Sequence, residues 1–339
     1  MPSSETAAKL GSRASQTPMV EVEAVVSGRA RRVRLKLDGA NRWGSTKDRT
    51  AVGLLDALEA AGELAPGATV VESSSGNLGV ALAALTRERG YGFVAVVDPR
   101  VPQWSLDAMR GLGAGVEMVE EPDLHGGYLL ARLRRVQRLV ETEGFVWTDQ
   151  YRSPANPAVH RAETGPELWR QTADACDAVF VAVSTGGTLA GVSRYLRDVS
   201  PETRVVAVDV VGSVALGGAP GPRLLTGIGS ARPSDFVRQR DYDVCAHVTT
   251  EEAVAHCRGL AAATGVRVGG SSGAVLAAWA RLLDSGESCE KAACLCPDGG
   301  GTYEDTIYDD DWLHAHGVSA GPWIEYRPDV RAVAVPEPR

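Results

Sequence analysis

Hydrophobic and charged positions alternate at Val33-Arg34-Leu35-Lys36-Leu37. A period of two predicts a strand, here over Arg31 to Leu37. The period then changes. From Thr46 to Leu58 the apolar residues Ala51, Leu54, Leu55 and Leu58 fall three or four apart, which predicts a helix with one buried face. Thr69 to Glu72 reads as a short strand and the alanine-rich run Val80 to Arg89 as a helix. The exchange continues with a strand at Phe93–Val97, a helix at Pro102–Gly111, a strand at Gly115–Val119 and a helix at His125–Glu143. Trp147 to Gln150 reads as a crossing segment. A second series opens with a helix at Thr164-Gly165-Pro166-Glu167. Strands follow at Asp177–Val183, Val205–Asp209, Ala246–Val248 and Ala292–Cys296, with helices between them. Strand and helix alternating in units of about 30 residues predict parallel sheets. The chain reads as α/β class in two units that meet near 146–165, with ligands at the C-terminal ends of the strands, in the cleft between them.

Composition and charge narrow the functional classes. The 339 residues suffice for two domains, and a hydrophobic fraction of 44% excludes global disorder. The net charge of −8, without a dense Lys/Arg block, argues against nucleic acid and for a small-molecule role. No apolar run approaches the roughly 20 residues of a membrane span, so no membrane partner is expected. Met1 to Gln16, rich in Ser and Ala, reads as a frayed tail and not as a signal peptide. The six cysteines have no zinc spacing. No metal site is therefore expected, and buried free thiols suit a cytoplasmic protein.

Four stretches carry candidate chemistry. Lys47 lies in the first turn of the Thr46 helix, where the dipole disfavours a cation. A lysine held partly neutral is a nucleophile toward aldehydes. Ser184-Thr185-Gly186-Gly187-Thr188 follows a strand and opens a helix, so its backbone N–H groups and hydroxyls suit a single phosphate. It lacks the dinucleotide glycine pattern and the P-loop lysine. Ser74-Ser75-Gly76-Asn77 has the same placement and suits a carboxylate, or else simply caps its helix. Gly269-Gly270-Ser271-Ser272-Gly273 precedes another alanine-rich run, where Ser271 either caps the helix or bonds a neutral ring nitrogen. Around Thr226-Gly227-Ile228-Gly229, Arg223 or Arg232 is a candidate for an anionic substrate group, against the alternative of solvated surface arginines.

Together these stretches resemble the fold type II, cysteine synthase-like family of pyridoxal 5′-phosphate enzymes, over roughly Thr17 to Leu313. Asn41-x-x-Gly44-Ser45-x-Lys47-Asp48-Arg49 is similar to the family's Schiff-base segment. Ser74-Ser75-Gly76-Asn77-x-Gly79 is similar to its substrate-carboxylate loop, with Ser74 where Thr is usual. Ser184 through Thr188 resembles its phosphate loop and Ser271 its pyridine-nitrogen ligand. Gln150-Tyr151, Asn156-Pro157 and His160 through Glu167 resemble the segment lining the cleft. Ordinary cysteine synthases read Gln-Phe and Gly-Thr-Gly-Gly-Thr where this chain has Gln150-Tyr151 and Ser184 through Thr188. The closer likeness is to the N-(2-amino-2-carboxyethyl)-L-glutamate synthases of siderophore and peptide-antibiotic 2,3-diaminopropionate biosynthesis. It rests on Glu72 through Gly79, Val97-Asp98-Pro99, Val116 through Tyr128, Val208-Asp209, Gly212-Ser213-Val214, Arg223, Gly227-Ile228-Gly229, Pro297-Asp298, Tyr308, Asp311, Trp312 and Leu313. Asn156 through His160 is closer to plain cysteine synthase.

The resemblance implies a tryptophan synthase beta-like architecture, each domain a twisted, mostly parallel sheet flanked by helices. It implies a tail at 1–16, a smaller mobile domain at 38–145, a larger cofactor-binding domain from 17–37 plus 146–320, and a C-terminal tail at 321–339. Lys47 would carry the cofactor as an imine, with Asn77 and Ser184, Thr185, Gly186, Gly187, Thr188 and Ser271 around it. Ser74, Ser75, Gly76, Asn77, Gln150, Tyr151, Ser184, Gly227, Arg223 and Arg232 would face substrate. The implied reaction is β-replacement on O-phospho-L-serine through an α-aminoacrylate, with the α-amine of L-glutamate as nucleophile, in a cytoplasmic homodimer. The alternatives are a cysteine synthase using sulfide with O-acetylserine or O-phosphoserine, and a non-catalytic module that keeps the fold.

Overall fold

The structure is a computed structural model that describes residues 16–123, 127–172, 175–319 and 325–333. Strand ranges are β1 Met19–Val26, β2 Arg29–Leu37, β3 Thr69–Glu72, β4 Gly92–Val97, β5 Gly115–Met118, β6 Val146–Trp147, β7 Ala178–Ala182, β8 Arg204–Val210, β9 Val244–Val248, β10 Ala292–Cys296 and β11 Tyr326–Ala332. The chain divides into two compact units, one over Asn41–Ala155 and the other over Thr17–Ala40 with Asn156–Arg339. Among the described residues, no helix is long and apolar enough to cross a membrane.

The first unit is a parallel sheet in the order β5-β4-β3-β6. Buried valines of β3 and β4 pack on Leu54, Leu55, Leu78, Leu82 and Leu85, the apolar stripes of helices Lys47–Ala60 and Asn77–Arg89. Val136 and Leu139, on the amphipathic helix Leu129–Glu143, cover the other face. Because the strands are parallel, Ser73 after β3, Asp98 after β4 and Thr148 after β6 leave from one end of the sheet.

The second unit is a mixed sheet in the order β11-β1-β2-β10-β7-β8-β9. Strands β2, β10, β7, β8 and β9 are parallel, and β1 pairs antiparallel with both β2 and β11. Helix Gly270–Asp284 is buried almost throughout, including Trp279, against one face. Helix Gly187–Val199 covers the other with Leu189, Val192 and Leu196.

Several elements differ from expectation. Trp147 belongs to β6, paired with β3, and is not only a crossing segment. Tyr326–Ala332 falls within the expected C-terminal tail and is a strand, held by β1 and by the buried Tyr326 hydroxyl 2.7 Å from His256 Nδ1. The expected helix start at His125 lies outside the described residues, as do 1–15 and 334–339 of the two expected tails; the described helix starts at Leu129. Lys36, read as the polar side of a strand, is fully buried. Its Nζ lies 2.5 Å from Glu167 Oε1 and 3.7 Å from Asp38 Oδ1, and donates to Thr17. A charge so placed requires such partners.

Candidate functional site

Lys47 is the first residue of helix Lys47–Ala60. The polar turn before it is fixed by short contacts: Trp43 N–H donates to Asp48 Oδ2 at 2.6 Å, Gly44 N–H to Asn41 O at 3.0 Å, and Lys47 N–H to Ser45 Oγ at 3.1 Å. Asp48 and Arg49 are buried and not part of a solvated face. Burial of the Lys47 amine lowers its pKa from 10.5 to about 8, and the negative charge of Glu72 acts in the opposite direction. A free lysine is almost wholly protonated at neutral pH, whereas this one is substantially neutral near pH 8.

Glu72 is itself fully buried at the end of β3. Its carboxylate accepts Ser73 N–H at 2.7 Å, the Thr148 hydroxyl at 2.5 Å and Gln150 N–H at 3.0 Å. Burial pushes its pKa up and these three donors pull it back. The Gln150 side chain donates to Ser73 O at 3.0 Å, so two segments expected to face substrate are joined. Tyr151 follows at once and is half-buried; Asp149, just before, adopts a left-handed φ of 45°. Asn77 begins helix Asn77–Arg89, with Gly76 as its N-cap. Ser74 Oγ accepts Gly79 N–H at 3.0 Å, while Ser75, Gly76 and Asn77 stay half-buried. That leaves helix-end N–H groups and hydroxyls for a carboxylate.

One further cation in this unit was missed by the sequence reading. Arg132 is 11% exposed, and its Nε and Nη1 make no hydrogen bond. Its Nε is 3.4 Å from Asp98 Oδ2 without aligning on it. Arg100, two residues past Asp98, stacks over Tyr128 at 5.0 Å. A buried guanidinium with unmade bonds suits an anion, and nothing in the helical pattern distinguishes Arg132 from its neighbours Arg134 and Arg135.

In the second unit, Ser184 through Thr188 follows β7, and helix Gly187–Val199 begins within it. Gly186 has φ +90°, and a Cβ there would collide with the Ser234 hydroxyl and Val237; one on Gly187 would collide with the Asn156 side chain. Backbone must therefore approach unobstructed at both positions. Ser184 donates to Gly229 O at 3.2 Å and Ser234 to Thr185 O at 2.6 Å, which brings the Gly227–Gly229 loop beside the phosphate-type loop. Ser271 is the second residue of helix Gly270–Asp284 and not a loop residue before it. Its Oγ is buried and has no hydrogen-bond partner. Gly269 and Gly227 both face Asp298 and Tyr303, whose hydroxyl donates to Asp298 at 2.6 Å, so these two stretches also share a neighbourhood. Burial, then Asp298, drives the Tyr303 pKa well up.

The two expected arginines are engaged within the fold. Arg223 Nη1 donates to Gly212 O at 2.9 Å and Ser230 O at 3.0 Å. Arg232 pairs with Asp235 at 2.6 Å. Among the described residues, no group of three His, Cys, Asp or Glu could hold a metal ion, and all six cysteines are free.

The family profile described as pyridoxal-phosphate dependent enzyme matches residues 12–297. The chain belongs to this family. Its cofactor is pyridoxal phosphate, and each unit carries chemistry that fits such a group: the first an amine of lowered pKa, the second a glycine-rich helix start and an orphaned buried hydroxyl. Two relatives are named N-(2-amino-2-carboxyethyl)-L-glutamate synthase. That of Ralstonia nicotianae is 43% identical over 88% of each chain, and that of Cupriavidus metallidurans is 38% identical over 88% of each. Among solved structures, O-ureido-L-serine synthase superposes with TM-score 0.80 at 28% identity, covering 91% of this chain and 98% of that one. A hydrogen sulfide-producing enzyme from Fusobacterium nucleatum shares the fold, with TM-score 0.78 at 23% identity over 85% and 96% of the two chains.

Proposed function

We propose that this member of the family replaces the phosphate of O-phospho-L-serine with the α-amine of L-glutamate, giving N-(2-amino-2-carboxyethyl)-L-glutamate and inorganic phosphate. The Cβ–O bond breaks, a Cβ–N bond forms, and the amine releases a proton. The observation that carries this product is the 43% identity, over 88% of each chain, to a relative of that name. Pyridoxal phosphate, once bound, supplies the electron sink that makes the substrate Cα–H acidic.

The chain's own residues divide the remaining tasks. Lys47, part neutral near pH 8, would hold the cofactor through its aldehyde and would serve as the base at the substrate Cα. Ser184 through Thr188 would hold the phosphate on backbone N–H groups and hydroxyls. The Ser271 hydroxyl, buried and without a partner, would donate to the ring nitrogen, a neutral donor that would leave that nitrogen unprotonated. Ser74 through Asn77 take the substrate carboxylate, and Gln150-Tyr151, tied to Ser73, stand with them. Arg132 offers unmade hydrogen bonds to an anionic substrate group. The protein works as a cytoplasmic homodimer, a location that its free thiols suit.

The test is incubation of the protein with O-phospho-L-serine and either L-glutamate or sulfide, with products read by mass spectrometry. The expected outcome is the glutamate adduct with stoichiometric phosphate. Efficient sulfide incorporation with no glutamate adduct overturns the proposal in favour of a cysteine synthase.

A further inference from the structure

Behind the loop that holds the phosphate lies a line of side chains to which the proposed chemistry gives no task. His160 is fully buried. It opens one π-helical turn, His160–Thr164, closed by Gly165 N–H donating to the His160 carbonyl. Such turns are rare and gather at functional positions. His160 Nδ1 lies 2.9 Å from Thr164 Oγ1, and Nε2 lies 3.3 Å from Thr188 Oγ1. Gly191 lets the two helical segments meet, since a Cβ there would collide with the Pro157 carbonyl and, at 2.6 Å, with His160 Cβ.

We propose that His160 is a positioning residue: through the ordered chain Thr164 to His160 to Thr188, it turns the Thr188 hydroxyl into a hydrogen-bond donor for the cofactor phosphate. The proposal rests on the assignment of Ser184 through Thr188 to that phosphate. The direction follows from the chemistry of the three groups. A neutral imidazole has one N–H and one lone pair. With the hydrogen on Nδ1, Nε2 would accept the Thr188 hydroxyl, and that hydrogen would be lost to an anion. With the hydrogen on Nε2, Thr188 Oγ1 is the acceptor and its own hydrogen is left for the anion. The Thr164 hydroxyl then completes Nδ1. A threonine in a first helical turn otherwise tends to bond its own backbone, and His160 supplies the alternative.

Thr185 follows the same logic with different partners. Its Oγ1 faces Asn156 Nδ2 at 3.3 Å and Gly187 N–H at 3.4 Å, two donors for two lone pairs. Its hydroxyl is left to donate. Both threonines thus present O–H groups where the helix start presents N–H groups, and an anion there meets donors only.

The test measures the dissociation constant of pyridoxal phosphate from the apoprotein for wild type, His160→Phe, His160→Gln, Thr188→Val and the His160→Phe/Thr188→Val pair. The His160→Phe substitution should weaken binding about tenfold, the scale of one charge-assisted hydrogen bond. His160→Gln, which keeps an N–H near Nε2, should stay within about twofold of wild type. In the Thr188→Val background, His160→Phe should add almost nothing. Nitrogen NMR of the ring in the holoprotein should show the Nε2–H tautomer. Additive losses, equal loss in His160→Gln, or the Nδ1–H tautomer overturn the proposal; where His160→Phe does not fold, the Gln variant and the tautomer decide. Wild type that binds no pyridoxal phosphate defeats the cofactor assignment itself, a distinct failure.

Discussion

Glu72 Oε2 accepts the Thr148 hydroxyl at 2.5 Å, and this contact joins the C-terminal ends of two parallel strands, β3 and β6. The loop assigned to the substrate carboxylate departs from the first strand and Gln150-Tyr151 from the second. Thr148→Val keeps the shape and removes the donor. Stability should fall by about 1–3 kcal/mol, the cost of leaving a buried acceptor short of a partner. KM for O-phospho-L-serine should rise more than kcat falls, because positioning is lost and not the chemistry. Denaturant titration and steady-state phosphate release check the two parts. An unchanged KM beside a lowered stability would show that the loop holds its place without this contact.

Lys47 gives a pH prediction of definite sign. Its amine is protonated below about 8 and neutral above, so capture of pyridoxal phosphate by the apoprotein should accelerate as pH rises through that value. The carboxylate of Glu72 favours the protonated form. Glu72→Gln should therefore move the midpoint further down. Lys47→Ala should abolish covalent capture, read as loss of the borohydride-fixed cofactor mass on the peptide containing residue 47.

Gly187→Ala places a methyl group against the Asn156 side chain. Overpacking of this kind typically costs about 1–3 kcal/mol, and here it acts on the loop assigned to the phosphate. Cofactor affinity should drop at least tenfold, the equivalent of about 1.4 kcal/mol, with far-ultraviolet circular dichroism unchanged. Pairing it with Asn156→Ala should recover part of the loss.

Much of this was legible along the chain, for physical reasons. Buried parallel strands are short apolar runs, so Thr69–Glu72 and Ala292–Cys296 show their own limits. Loops rich in Gly, Ser and Thr between strand and helix advertise anion sites. Strand β11 gave no such signal, because Pro328 and its charges mark an edge strand that only its partner β1 defines. The alternation in Met19–Val26 and the Ser27-Gly28 turn did carry a hairpin signal that the strand at Arg31–Leu37 left out. Side-chain fates were the least legible. Glu72 meets Thr148 and Gln150 across more than 70 positions of chain, and Lys36 meets Glu167 across 131.

That last pair yields a stability prediction separate from the chemistry. Lys36, Glu167 and Asp38 form a buried ionic cluster, with Thr17 and Gln171 completing its bonds. Removing one partner of such a cluster leaves an uncompensated charge and costs about 3–5 kcal/mol. Lys36→Ala should lose that much in chemical denaturation. Lys36→Met with Glu167→Gln should lose less than either single change.

Arg132, proposed above for the substrate anion, and Arg223, expected from the sequence to face it, give a paired test. Arg223 spends Nη1 on the carbonyls of Gly212 and Ser230, which tie the strand end after β8 to the segment past Gly229. Arg223→Ala removes both bonds while Gly212 O keeps Gly221 N–H and Ser230 O keeps Val214 N–H, so its main effect should be a stability loss of about 0.5–1.5 kcal/mol. Arg132 has the opposite profile: it is largely buried, with Nε and Nη1 unbonded and Asp98 misaligned beside it. Leaving such a group unsatisfied is costly unless an anion completes it. O-phospho-L-serine carries a phosphate dianion, whereas O-acetyl-L-serine has a neutral ester at that position. Arg132→Gln should raise KM for O-phospho-L-serine by at least tenfold, about 1.4 kcal/mol of lost binding, beyond any stability lost where Asp98 gives up its buried partner. Turnover with O-acetyl-L-serine should change much less. Steady-state kinetics with both esters, beside melting curves of both variants, make the comparison. A raised KM in Arg223→Ala with a normal KM in Arg132→Gln would reverse the two assignments and return the substrate anion to the Gly227–Gly229 loop.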